Sequence, residues 1–257
     1  QTAFAASQIL GIPVGLFLSK LWGWHAPFLM IVATALFVGI FILIYLKPID
    51  AHLKMKPDLS PFHHLWATLS NPQYILAFAT MSLLSTGGFM LMPFGSAFTV
   101  NNLGIQVEKL PMIYLITGIC AIFIGPLVGR ASDSYGKFKV FVFGAIMTIV
   151  MVLYYTNMTE TPLAFVIFVN SLMFVGIFSR MIPAQALMSG IPSPTNRGSF
   201  MAASTSLQQL SGGVASSIAG GIVVISANGK LQHFDLLGYI LGGTTIATIF
   251  MMYRISR

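Results

Sequence analysis

The sequence predicts an all-α protein built to sit in a lipid bilayer, on three observations. Long apolar runs recur along the chain, its few charges gather between those runs, and no run shows the short apolar–polar alternation of a membrane-spanning strand. Hydrophobic residues make up 56% of the 257 and charged residues 7%, with a mean hydropathy of +0.85. A water-soluble domain of that size cannot hide so much apolar surface.

A helix needs about 20 apolar residues to cross a hydrocarbon layer of roughly 30 Å. Eight stretches qualify: Gln1 to Leu21, Pro27 to Leu46, Tyr74 to Phe98, Leu110 to Val128, Phe138 to Thr156, Pro162 to Met188, Phe200 to Ser226 and Leu236 to Tyr253. Each is too long and continuous for a strand, so each is expected to be a helix.

The first stretch holds Gly11-Ile12-Pro13-Val14-Gly15, where small residues allow close helix contact and proline bends the axis. After the second, residues 47–73 turn abruptly to Pro, His, Lys and Asp. Within this segment Ser60 can cap a helix opened by Pro61, with Phe62, Leu65, Trp66 and Leu69 on one face. The segment reads as a short amphipathic helix at the membrane surface or as an irregular linker docked on the bundle.

The third stretch carries Thr80, Ser82, Ser85 and Thr86 beside Phe78, Phe89 and Phe94, the fourth Tyr114, and the sixth Asn170. Cys120 is the single cysteine and is expected to pack, which leaves no disulfide or cysteine metal cluster. Arg180 is the one Lys, Arg, Asp, Glu or His well inside a stretch, where burial costs at least about 2.5 kcal/mol. It is expected to serve function, by meeting an anionic substrate group or latching its helix, or else to snorkel to the interface. The seventh stretch is dense in small residues, with Gly212, Ser216 and Gly220 four apart, and Gln208 needs protein or water around it at that depth.

Loop charges set an orientation. With the first residue inside, the inner loops and tail hold Lys47, Lys54, Lys56, Arg130, Lys137, Lys139, Arg197, Arg254 and Arg257. The outer loops hold Lys20, Lys109 and Lys230, so both ends are expected in the cytoplasm. The net charge of +7 therefore marks membrane flanks, and no nucleic-acid partner is expected.

Every acidic residue, namely Asp50, Asp58, Glu108, Asp133, Glu160 and Asp235, falls in a loop or at a helix end. The five histidines do the same, and no metalloprotease, nucleophile-elbow or phosphate-loop motif is present. No enzyme activity, cofactor or metal is expected.

Between the fourth and fifth stretches stands Gly129-Arg130-Ala131-Ser132-Asp133-Ser134-Tyr135-Gly136-Lys137-Phe138-Lys139, which reads G-x-x-x-D-x-x-G-K-x-K. Gly129 is expected to end its helix, Asp133 to accept hydrogen bonds or cap a neighbouring helix, and Gly136 to form a tight turn. The pattern resembles the cytoplasmic loop signature of the major facilitator superfamily. Gly11, Pro13 and Gly15 are similar in context to helix five of its drug:proton antiporters, although their fuller G-x-x-x-G-P-x-x-G-G pattern is absent. Residues 192–213 resemble helix eleven of the drug-exporter group. Ala5-Ala6-Ser7 recurs 197 residues on as Ala202-Ala203-Ser204, the spacing of a six-helix repeat.

That resemblance implies the major facilitator fold: residues 1–46 as helices five and six of the first half, 47–73 as the linker, and 74–257 as the second six-helix half, in a chain that begins late. It implies a gating latch at Gly129, Arg130, Asp133, Gly136, Lys137 and Lys139, unless these only mark the inner face. The central cavity would draw on Thr86, Tyr114, Asn170, Arg180 and Gln208, unless these only pack. The implied function is secondary active transport of a small organic solute, such as a drug-like compound or sugar, by alternating access, as proton-coupled export. The implied partners are that solute, protons and the lipid bilayer, for a monomer in the bacterial inner membrane. With no acidic residue at depth, the proton-relay group would lie outside this portion, or the protein is a uniporter. The alternative is a complete eight-helix channel or membrane assembly subunit.

Overall fold

The structure, a computed structural model, describes residues 11–46, 66–194 and 196–256. It is helical throughout apart from one small hairpin. The helices are α1 (Ile12–Trp22), α2 (Ala26–Tyr45), α3 (Pro72–Asn101), α4 (Leu110–Tyr135), α5 (Lys137–Thr156), α6 (Leu163–Met188), α7 (Arg197–Ile222) and α8 (Phe234–Ser256). Six of them, α2 to α6 and α8, are long and apolar enough to cross a bilayer. The described part of α1 is 11 residues, and α7 has 26 but is diluted by Gly, Ser, Thr and Gln.

Local chemistry sets the helix ends. The Asn71 side chain accepts a hydrogen bond from the Gln73 amide while Pro72 opens α3, so this helix starts two residues before the apolar run. Gly136 has φ 95° and separates α4 from α5. Val224–Ile225 and Leu231–Gln232 pair as an antiparallel hairpin (β1, β2) where the apolar pattern suggested the helix ran on to Ser226. Residues 66–69 form a helical turn, whereas Ser60, Pro61, Phe62 and Leu65 of the expected amphipathic helix lie outside the described residues.

The last six helices form two triplets, α3-α4-α5 and α6-α7-α8, with a telling pattern of contacts. α3 packs on α7 and α8, α6 packs on α4 and α5, α5 meets α8, and α4–α5 and α7–α8 touch more lightly. Exchanging the triplets maps every one of these contacts onto another or onto itself. With three helices in each triplet, the second runs in the opposite sense to the first, the pattern of an inverted repeat.

Aromatic clusters pin the array at both ends. Phe98 stacks on Phe234 at 4.2 Å between ring centres beside Tyr155, and at the other end Phe78 stacks on Phe200 at 4.9 Å beside Tyr74. Small residues bring the helices close between these clusters. A Cβ on Gly144 of α5 would lie 2.4 Å from the carbonyl carbon of Ser179 and 2.5 Å from the Arg180 nitrogen on α6. Both are backbone atoms that cannot yield without moving the helix.

At the end holding the hairpin, the Asn102 amide donates to the Leu231 carbonyl and accepts from the Leu231 N–H, each at 2.9 Å. Lys230 reaches Glu160 at 3.0 Å, an exposed pair worth little in stability. The opposite end gathers the α4–α5 turn with the C-terminal ends of α6 and α8. Outside the six, α1 packs on α2 and on α4.

Replacing Gly144 with Val should overpack the α5–α6 contact, at a cost of about 1–3 kcal/mol. Thermal melting of the purified protein should show a clear fall, whereas Gly125→Ala, whose new methyl would meet nothing within 4 Å, should show none.

Candidate functional site

Lipid cannot satisfy a polar side chain, so polar groups at membrane depth must find partners on other helices or on their own backbone. Along α3 and α7 they form a seam. Ser85 Oγ donates to Gln208 Oε1 at 2.9 Å, sharing its proton with the Met81 carbonyl. Gln208 Nε2 donates onward to the carbonyl and Oγ of Ser204, both at 3.2 Å. Two turns further along α7, Ser216 Oγ donates to the Phe89 carbonyl at 2.9 Å. Gly212 leaves room there for the Phe89 ring, which would stand 2.5 Å from a Cβ.

A second link joins α3 to α4, where Tyr114 and Ser96 hydroxyls lie 2.5 Å apart. Ser96 was not foreseen, although it stands eleven residues after Ser85, three helical turns along the same face. Thr86 and Asn170, both half-buried, bond only their own helices, to the Ser82 and Val166 carbonyls. Thr80 and Phe78 of α3 are core residues at 0% and 4% exposure.

Arg180 lies apart from the seam. It is 3% exposed, its backbone is pressed against Gly144 of α5, and its guanidinium donates to Thr245 Oγ1 of α8 at 3.3 Å. Its Nε has no partner, and the described acidic residues sit in loops or end turns. The side chain neither snorkels to solvent nor lines an open space in this structure. Sequence position could not reveal this, because the direction of a side chain around a helix buried on several sides depends on which neighbours pack where.

The signature residues fall differently from their expected places. Gly129 does not end its helix, since α4 continues through Arg130 and Asp133 to Tyr135, and the break comes at Gly136. The intervening Arg-Ala-Ser-Asp run tolerates helix, whereas the positive φ at Gly136 stops it. The turn therefore contracts to Gly136 with Lys137 and Lys139 immediately after. Asp133 is exposed and has no hydrogen-bond partner among the described residues. In α1, Gly11 and Pro13 stand at the start of the described helix, and Gly15 faces Pro27 of α2, with 3.9 Å to a Cβ.

One face of α7 stays uncovered. Thr205, Gln209, Gly213 and Ser217, four residues apart and about 100° round the helix from the seam residues, are all exposed.

These features define a multi-pass helical membrane protein whose six-helix unit is an inverted repeat with a polar seam. The sequence model of the Major Facilitator Superfamily matches residues 1–217, and the chain belongs to that family. It is similar to the uncharacterized MFS-type transporter YceJ of Bacillus subtilis, 27% identical over 95% of this chain and 62% of the relative. It is 26% identical to the lincomycin resistance protein LmrB of Listeria monocytogenes, over 81% of this chain and 42% of the relative. It is also 26% identical to the multidrug resistance protein MdtG of Klebsiella pneumoniae, over 63% of this chain and 40% of the relative. The chain thus spans between two fifths and two thirds of the length of these relatives.

A double-mutant cycle on Ser85→Ala and Gln208→Ala, read by thermal unfolding, should return a coupling of about 0.6 kcal/mol, the usual size for a hydrogen bond between membrane helices. Additive losses would mean that the bond contributes nothing.

Proposed function

We propose that the complete protein is a secondary active transporter that exports a small, apolar or amphipathic organic solute, with protons as the coupling ion, by alternating access. The observation that carries this reading is the uncovered stripe Thr205, Gln209, Gly213 and Ser217 on α7. Thr205 and Ser217 bond their own helix carbonyls, whereas the exposed Gln209 amide has no partner in lipid, so this side of α7 faces protein or a water-filled passage. The contact of α1 with α4 supports the same arrangement, since it places a helix from outside the six on one flank, with the α7 stripe on another. Two bodies meeting along those flanks would enclose the α3, α4 and α7 seam at their common midplane, where alternating access puts its substrate.

In this reading residues 12–45 correspond to helices five and six of the first half, and Pro72–Ser256 to the second half. Tyr114, Thr86, Asn170 and Gln208 contribute polar groups to the cavity, with Phe89 and Phe94 as its apolar wall. Of the two functional roles open to Arg180, the bond to Thr245 favours holding α6 against α8 over meeting substrate. The basic turn lies in the cytoplasm, and Asp133 is free to latch that side when the two bodies close. The names of LmrB and MdtG, resistance to lincomycin and to multiple drugs, support drug-like solutes as the substrate class.

The test is efflux from cells expressing the complete protein. Accumulation of fluorescent amphipathic compounds should fall on expression and recover when a protonophore collapses the proton gradient. Asp133→Asn should cut efflux about tenfold, a coupling loss near 1.4 kcal/mol. Undiminished accumulation across a broad panel defeats export, and protonophore-insensitive flux defeats proton coupling.

Arg180→Met should change the melting temperature little, because loss of the bond to Thr245 is offset by removal of an incompletely paired buried charge, yet it should lower transport. A large loss of stability would make Arg180 a structural residue only.

A further inference from the structure

Two hollows adjoin at the α4–α5 turn, away from the α3–α7 seam, and they differ in chemistry. The first is a groove of about 450 Å³ between α4, α5 and α6, walled by Ile124, Leu127 and Ala131 with Phe143 and Val175. Leu127 and Phe143 are each 61% exposed, so the groove opens outward. It is almost wholly apolar. The second, about 380 Å³, is bounded by Lys137, Phe138, Leu187 and Ser256. Tyr135 and Lys139 border both.

The dimensions select an occupant. From Ile124 to Tyr135 the α4 wall rises about 16 Å, at roughly 1.5 Å per residue. One leaflet of a hydrocarbon layer about 30 Å thick has the same depth. The lysines then stand where a phosphate stands, at the end of the chain-lining wall, with Tyr135 as an aromatic anchor at the same level. Lys137 and Lys139 both border the second hollow, and neither meets a carboxylate among the described residues.

We propose that this paired hollow is a binding site for one anionic phospholipid of the adjoining leaflet, an acyl chain lying in the α4–α5–α6 groove and its phosphate held by Lys137 and Lys139. A soluble anion would use the lysines but leave the groove empty. A neutral lipid would use the groove but gain nothing from the lysines. Only a ligand with both parts matches both hollows. The site does not depend on what the protein transports, only on its lying in a membrane with this turn at the surface.

The test uses the complete protein in nanodiscs holding equal amounts of phosphatidylglycerol and phosphatidylcholine, followed by detergent extraction and native mass spectrometry of the lipids that stay bound. The unmodified protein should retain phosphatidylglycerol over phosphatidylcholine by roughly thirtyfold, the effect of two lysines at an anionic headgroup. The pair Lys137→Gln and Lys139→Gln, on a surface turn, should bring the ratio near one. Ala131→Phe, which fills the groove, should reduce retention of both lipids, with a thermal melt confirming the fold. Equal retention by the unmodified protein, or a preference that survives loss of both lysines, overturns the site. Retention untouched by a folded Ala131→Phe variant overturns the groove as the seat of the chain.

Discussion

A hydrocarbon solvent offers no hydrogen bonds, and that constraint decides where almost every polar side chain of this protein goes. Ser85 and Gln208 bond across two helices, Tyr114 and Ser96 across another pair, and Thr99 and Tyr155 across a third. Thr86, Asn170 and Thr148 turn back to their own helix carbonyls. Each interhelical bond is modest in energy because the separated helices would find partners elsewhere. Their value is in fixing which helix lies beside which, since dispersion between apolar surfaces discriminates poorly among neighbours. Arg180 stands out against this background. Its charge is buried with one long hydrogen bond and an orphaned Nε, a cost that packing alone gives no reason to keep.

The symmetry of contacts between the two triplets has a physical basis in the same solvent. Helices in lipid approach closely only where small residues let their backbones meet, as at Gly144 against α6 and Gly176 against Thr148. Aromatic clusters then fill the wider spaces at the two ends. The outcome is a body tightly joined at mid-depth and wedged with rings at both surfaces, with the polar seam on the flank where α3 meets α7.

The fold was largely legible in the sequence, and the site only partly. Long apolar runs with charges between them announce membrane helices because few other structures hide that much apolar surface. The positions of Gly136, Lys137 and Lys139 identified the turn between α4 and α5. The end of α4 was misplaced by seven residues, because Gly129 lacks a side chain in a setting where the helix needs none to continue. The hairpin after α7 was overlooked although Asn228-Gly229 is a strong turn signal, because the apolar residues before it merge with the helix pattern. The partners of Gln208 and Arg180 were not legible. Each depends on the rotation of a helix about its axis, and in helices buried on several sides hydrophobic periodicity no longer reports that rotation.

The Asn102 amide meets the Leu231 peptide group as one strand meets the next, and it does so between the end of α3 and the hairpin that leads into α8. A side chain from the other triplet thereby takes the place of a third strand on the open edge of β2. Such a clasp opposes any scissoring of one triplet against its mate. At that end the two triplets of Pro72–Ser256 are therefore stitched together by peptide-like hydrogen bonds as well as by ring packing.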